Sequence, residues 1–228
     1  MLEQRSEEVE IMDDLEISGE VVDQTLKELD IINRLLGGNQ ISISAFKKLA
    51  ASVSECSFVD LGCGSGAIMI AMAKWSRKKR IEGSYTGVDA NPNIIRYAEK
   101  NTSDYPEIRF MTANILDDEF QRQTFDVIHC CLFLHHFSND ELVLLLKKFK
   151  NQARLGVIIN DLHRHPLAYW SIRLLTRIFS KSSMVRNDAA VSVARGFKRN
   201  ELRQILSEAG IERYELRWKW AFRWKLTF

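Results

Sequence analysis

The chain has 228 residues, 46% hydrophobic and 27% charged, which fits one globular domain with a sizeable core and excludes an intrinsically disordered chain. With 32 basic and 30 acidic side chains the net charge is +2, so the composition gives no reason to expect a nucleic-acid partner. Cys56, Cys63, Cys130 and Cys131 form no Cys-x-x-Cys pair, which argues against a structural zinc and a disulfide framework alike. Met1 to Glu10 is acidic and polar with no signal pattern, and no apolar run approaches the roughly 18 residues of a membrane span. The expectation is a cytoplasmic chain with reduced thiols and no membrane partner.

The first forty residues read as helical. Val22, Leu26, Leu29, Ile32 and Leu36 recur at spacings of three and four, Ser18 is a candidate N-cap, and Gly37-Gly38 is a stop. A shorter helix is predicted over Glu7 to Leu15. This N-terminal segment, residues 1–45, precedes the main sheet, and its apolar stripe needs a partner. It is predicted to form a lid over the ligand site, with Arg34 to Gly38 near the ligand.

From Cys56 the pattern alternates. Strands are predicted at Phe58 to Leu61, Ser84 to Asp89, Ile108 to Thr112, Phe125 to Leu134 and Leu155 to Asn160. Helices are predicted at Ala67 to Trp75, Pro92 to Lys100 and Asn139 to Lys150. Alternation of this kind implies βαβ units and a parallel sheet. The basic run Arg77 to Arg80 falls at a helix end and reads as solvated. After the fifth strand come an apolar-faced helix at Pro166 to Ser180, a polar connection from Lys181 to Gly196, and a helix from Arg199 to Ala209. The aromatic-rich tail, Ile211 to Phe228, reads as two antiparallel strands. Residues 46–228 are thus one α/β domain with a helical insertion at about 163–198.

Val59-Asp60-Leu61-Gly62-Cys63-Gly64-Ser65-Gly66 lies at a strand end and opens a helix. Its glycines permit a tight turn and close approach of backbone N–H groups to a ligand. Asp89 ends the second strand, 23 positions after Gly66, where a carboxylate accepts from both ribose hydroxyls of a nucleoside. The glycine spacing is not the Gly-x-Gly-x-x-Gly that leaves a helix N-terminus open for pyrophosphate. Asp60, two positions before the first glycine, disfavours a phosphate and suits a cationic ligand.

Asp60 to Gly66, followed by Gly87-Val88-Asp89-Ala90-Asn91-Pro92 and by Phe125 to Ile128 with Leu134-His135-His136, resembles the class I S-adenosylmethionine-dependent methyltransferases over roughly Phe46 to Asp161. The resemblance implies a Rossmann-like seven-stranded sheet, mostly parallel with a reversed terminal strand and helices on both faces. It implies S-adenosylmethionine as cofactor, with Asp60, Gly62, Cys63 and Gly64 beside the methionine portion. Asp89 would lie at the ribose, Ala113, Asn114 and Ile115 at the adenine, and Ala90 and Cys131 beside the cofactor. Asn114 stands where many members carry Asp. The N-terminal Arg5 to Asp14, Ile32 to Gly38 and Asn160 to Tyr169 are similar to a bacterial group of small-molecule methyltransferases, some from polyketide or aryl-pigment pathways. That implies a phenolic or polyketide hydroxyl as acceptor.

Methyl transfer to a hydroxyl needs alignment and a group that takes the proton, a role suited to histidine. His129 lies within a strand and reads as structural. His135 and His136 follow strand four; His163 and His165 follow strand five, and both loops lie at strand carboxyl ends. His163 is the first candidate base and His136 the second; His135, Arg164, His165 and Tyr169 are candidate acceptor contacts. Each histidine also has a packing reading, as do Arg164, Arg186, Arg195, Tyr169 and Trp170. No metal site is expected, because no carboxylate beyond Asp161 completes a set with the four loop histidines. A small-molecule acceptor and a monomer or homodimer are expected. A non-catalytic cofactor-binding module and a methyltransferase of RNA or protein remain alternatives. Cys130-Cys131-Leu132-Phe133 replaces the Asn/Asp-Pro-Pro-Tyr tetrapeptide common in amino-group methyltransferases, which favours oxygen or carbon acceptors.

Overall fold

The structure, a computed structural model, describes residues 2–117, 120 and 122–228. Two helices open the chain, α1 (Glu20–Leu35) and α2 (Gly38–Leu49), preceded by a 3-10 turn at Ile11–Asp13. The alternating part follows: β1 (Glu55–Leu61), α3 (Ala67–Lys79), β2 (Glu82–Asp89), α4 (Pro92–Asn101), β3 (Ile108–Thr112), β4 (Phe125–Cys131), α5 (Asn139–Gln152) and β5 (Ala153–Leu162). Then come α6 (Pro166–Phe179), α7 (Ser183–Arg195), α8 (Arg199–Glu208) and the hairpin of β6 (Glu215–Lys219) and β7 (Arg223–Thr227).

The seven strands form one sheet in the order β3-β2-β1-β4-β5-β7-β6. β1 to β5 pair in parallel, and β7 is antiparallel to both β5 and β6. The central strands are apolar along nearly their whole length because both faces are covered. On one face Val59, Leu61, Ile128, Val157 and Ile159 pack against α5 and α8; on the other Phe58, Val127 and Ile158 pack against α2 and α3. The strand order reverses between β1 and β4, and the crevice at their carboxyl ends is where open α/β sheets bind ligands.

Three predicted elements differ. Glu7 to Leu15 is not a helix beyond the turn at Ile11–Asp13. The N–H groups of Ile11 and Met12 donate instead to the Asp188 carboxylate, at 2.9 and 3.0 Å. The polar connection over Lys181 to Gly196 is largely α7. Met184, Val185, Ala190, Val191, Val193 and Ala194 are buried on several sides, so no single-face period marks the helix. Strand four stops at Cys131, because Leu132 takes a left-handed φ of 53° and turns the chain into a 3-10 turn at Leu134–His136. Such a conformation costs about 1–2 kcal/mol in a residue with a Cβ and is typical of site loops. α2, which the sequence pattern does not announce, fills the face of β4 and β5.

α1, α7 and the leading segment are tied to one another. Thr25 Oγ1 and Ser182 Oγ lie 2.8 Å apart, Lys181 N donates to Glu28 at 3.0 Å, Ser192 Oγ donates to Glu10 at 2.7 Å, and Ser6 N donates to Ala194 O at 3.1 Å. α6 behaves differently. Trp170 is 59% exposed and Phe179 76%, with Leu167, Leu174 and Ile178 also facing outward, so this helix does not cover the strand ends. Among the described residues no helix is long and apolar enough to cross a membrane.

Candidate active site

A cavity of about 290 Å³ opens at the carboxyl ends of β1, β2 and β4. Its floor is the glycine loop. Gly62, Gly64 and Gly66 take φ of 69°, 51° and 75°, the left-handed region that favours glycine. A Cβ at Gly62 would lie 2.3 Å from the Phe133 ring, whereas at Gly64 the nearest atom is Leu26 Cδ2 at 3.8 Å. The chain is thus folded tightly on one side of the loop and leaves open space on the other. Gly62 N and Cys63 N both donate to Val88 O, at 2.9 and 3.1 Å, which fixes the loop against the end of β2.

Asp60, Gly62, Cys63, Gly64, Asp89, Ala90 and Cys131 all line this cavity. Asp60 is oriented by His129 Nδ1 at 2.6 Å, while Ser42 Oγ sits 2.8 Å from the other ring nitrogen; His129 is buried and structural, as its strand position predicts. Asp89 accepts from Asn91 N at 3.0 Å. Burial pushes its pKa up from 3.8 to about 6, against the backbone N–H groups beside it. Burial also raises the Cys63 thiol, and pushes that of Cys131 up to about 12, so both are neutral wall groups.

Asn114 and Ile115 are not brought to the cavity wall. Asn114 is exposed and accepts from Leu116 N at 3.0 Å, and Ile115 is buried in the core behind the sheet edge.

The histidines divide cleanly. His135 and His136 line the cavity; His163, Arg164, His165 and Tyr169 do not. The reason is strand order. β4 borders β1 at the switch point, whereas β5 is one strand further out and its end meets the β6–β7 hairpin. His163 Nδ1 accepts from Trp218 Nε1 at 3.2 Å, and its ring lies 4.9 Å from that of Trp224. Burial, then the neighbouring His165, lowers its pKa. His165 caps α6 by accepting from Leu167 N at 3.1 Å and stacks on Phe222. Arg164 is buried, ion-paired with Glu201 and bonded to the carbonyls of Gly196, Leu2 and Glu3. Tyr169 packs edge-on against Trp170. The cavity is thus bordered by the β4 loop and not by the β5 loop, and by α7, whose Val185, Asp188, Ala189 and Ser192 reach it, and not by α6.

Two carboxylates missing from the sequence reading come from the leading segment. Glu10 Oε1 lies 3.3 Å from His135 Nε2 and 4.0 Å from His136 Nδ1, and Asp13 Oδ1 lies 2.6 Å from His136 Nδ1. On its other side His135 Nδ1 meets Asp161 Oδ1 at 2.7 Å, and Asp161 also accepts from Phe133 N and Leu134 N. Burial opposes charge on His135, but Asp161 and Glu10 outweigh it and hold the imidazole near pKa 9. Arg195 fastens the assembly. It donates to the carbonyls of His135 and His136 at 3.1 and 2.7 Å and pairs with Asp13 at 2.7 Å. Arg5 adds bonds to His135 O and Phe137 O. Neither carboxylate could be assigned from spacing, because more than 120 residues separate Glu10 and Asp13 from the histidines; the Glu-x-Glu-x-Met-Asp-Asp run was the one trace of them.

The fold and this crevice define a Rossmann-like protein with a nucleoside-cofactor site. Residues 52–210 match the family described as a methyltransferase domain, and the chain belongs to that family. No curated protein matches its sequence. Among solved structures it is similar to human N-acetylserotonin methyltransferase in complex with S-adenosylmethionine, at 18% identity and a TM-score of 0.64 over 92% of this chain and 55% of that one. It is similar to the plantazolicin methyltransferase BpumL with S-adenosylhomocysteine, at 19% identity and 0.64 over 87% and 73%. A third is an S-adenosylmethionine-dependent methyltransferase from Aquifex aeolicus, at 17% identity and 0.63 over 89% and 95%. At these identities the likeness is one of fold, extending over 87% to 92% of this chain.

Proposed function

We propose that this protein transfers the methyl group of S-adenosylmethionine to a hydroxyl of a small acceptor, such as a phenolic or polyketide-type compound. One observation carries the reading. The glycine loop, Asp89 and the His135–His136 cluster with its carboxylates share a single cavity roofed by α1, α7 and the leading segment. The cofactor supplies an activated methyl group on a sulfonium centre. Asp60 and the open side of Gly64 suit its cationic methionine end, and Asp89 its ribose. On the acceptor side, the histidine–carboxylate cluster orients a hydroxyl and takes up its proton beneath the roof. Cys131-Leu132-Phe133 offers no amide or tyrosine of the kind that holds an amino acceptor. Human N-acetylserotonin methyltransferase, whose name gives a small acceptor, lends the same direction. The residues 1–45 serve here as a lid that must open for exchange.

The assignment of Asp89 has two expected outcomes. Asp89→Ala weakens S-adenosylmethionine binding by about 1.5–3 kcal/mol, the range for hydrogen bonds to a charged group. Affinity of the native protein falls as the pH drops through about 6, since only the ionised carboxylate accepts from both ribose hydroxyls. The cofactor-free chain has the opposite sign. A carboxyl raised from 3.8 to about 6 by folding stabilises the folded state below pH 4, and that contribution is lost as pH rises through 6. Calorimetric titration between pH 5 and 8, flat in the native protein or unchanged in the variant, would remove Asp89 from the ribose.

Turnover is tested by offering phenols and hydroxylated aromatic acids with S-adenosylmethionine and reading products by mass spectrometry. The expected result is S-adenosylhomocysteine together with a methyl ether. Methylation confined to amines or thiols would overturn the hydroxyl assignment.

A further inference from the structure

The cluster at the acceptor end of the cavity contains three polar side-chain atoms without a hydrogen-bond partner among the described residues: Glu10 Oε1, His135 Nε2 and His136 Nδ1. Two of the side chains are deeply placed, Glu10 at 6% exposed and His135 at 2%, and His136 is 24% exposed. Leaving such atoms unsatisfied is unfavourable. Yet the side chains converge: one ligand atom from each of Glu10, His135 and His136 lies within 4.8 Å of the others. The pairs that are close, His135 with Glu10 at 3.3 Å and His136 with Asp13 at 2.6 Å, are placed by distance but not by hydrogen-bond angle.

We propose that Glu10, His135 and His136 bind a divalent first-row transition ion inside the cavity. Two imidazoles and one carboxylate form a donor set suited to zinc and its neighbours. Ligands about 2.1 Å from such an ion at a tetrahedral angle stand roughly 3.4 Å apart. The separations of Glu10 Oε1 from the two ring nitrogens, 3.3 and 4.0 Å, bracket that spacing. The surrounding bonds are those a metal histidine has. Asp161 accepts a hydrogen bond from Nδ1–H of His135 at 2.7 Å, which turns Nε2 inward as the ligand atom, and the bound ion displaces the proton that Nε2 carries in its absence. Ser192 Oγ donates to the other oxygen of Glu10 at 2.7 Å, and so holds that carboxylate with Oε1 inward. Asp13 stands by as a further oxygen near His136. Three protein ligands leave a coordination position toward the cavity, where an acceptor oxygen could bind. This inference rests on the acceptor lying at that end of the cavity, but the ion's binding is measurable without acceptor or methyl donor.

The full chain, stripped with chelator and dialysed, is titrated with Zn²⁺ by calorimetry, and the metal retained after gel filtration is counted. S-adenosylmethionine is titrated separately. One zinc ion per chain is expected. Glu10→Gln and His136→Gln should each weaken it at least tenfold, and Asp161→Asn by about 10–100-fold through His135. Circular dichroism checks that each variant is folded, and where one is not, the native titration decides alone. Normal S-adenosylmethionine binding with no retained zinc, or zinc bound equally by the folded variants, would overturn the metal site and reduce the cluster to ion pairs, leaving the methyltransfer reading intact. Zinc retained without any binding of S-adenosylmethionine would strike the methyltransfer reading instead.

Discussion

Replacing His136 by alanine is expected to lower kcat by about 10²–10⁴, the range for removal of a group that manages a proton in the transition state. Cofactor affinity should change little, because Asp89 and the glycine loop are intact. The effect holds whether the imidazole takes the proton itself or holds an ion that acidifies the hydroxyl. His163→Ala should leave kcat nearly unchanged, since its ring is committed to Trp218 and Trp224 outside the cavity. Steady-state kinetics with a verified acceptor separate the two. Full activity in His136→Ala with a large loss in His163→Ala would reverse the placement.

The second large effect is on stability. Arg164→Met should destabilise the fold by about 3–5 kcal/mol, the cost of breaking a buried charge pair by removing one partner. It removes the counter-ion of Glu201 and the donor to the carbonyls of Gly196 and Leu2, while Lys198 still donates to Glu201 and to Glu3 O. For a chain of this length that corresponds to a fall in Tm of roughly 6–20 °C. Thermal denaturation and acceptor KM together test this. A substrate contact would raise KM at unchanged Tm; the packing seen here lowers Tm and leaves the acceptor KM near that of the native protein at a permissive temperature.

What was legible in the sequence is what local spacing encodes. The glycine loop, Asp89 at the end of β2 and the strand–helix alternation each depend on neighbours a few residues apart, and the cavity has Asp60, Gly62, Gly64 and Asp89 where that spacing puts them. The choice between His136 and His163 was not legible, because both follow strands at the same sheet edge and only the order β1-β4-β5 decides which faces the switch point. Glu10 and Asp13 were hidden for another reason. They reach the histidines through α7, a helix whose buried residues lie on several sides and whose Asp188, Ser192 and Arg195 bind the leading segment. Asn114 and Ile115 came from the resemblance alone, and the structure leaves them off the cavity wall.

The most direct test of the account is a crystal structure of the protein with S-adenosylhomocysteine. The account predicts the ribose at Asp89, the amino-acid end over Gly62 to Gly64, and the sulfur turned toward His135 and His136 under α7. A ligand whose sulfur points instead to the β5 end and His163, or one that binds outside this crevice, would contradict it.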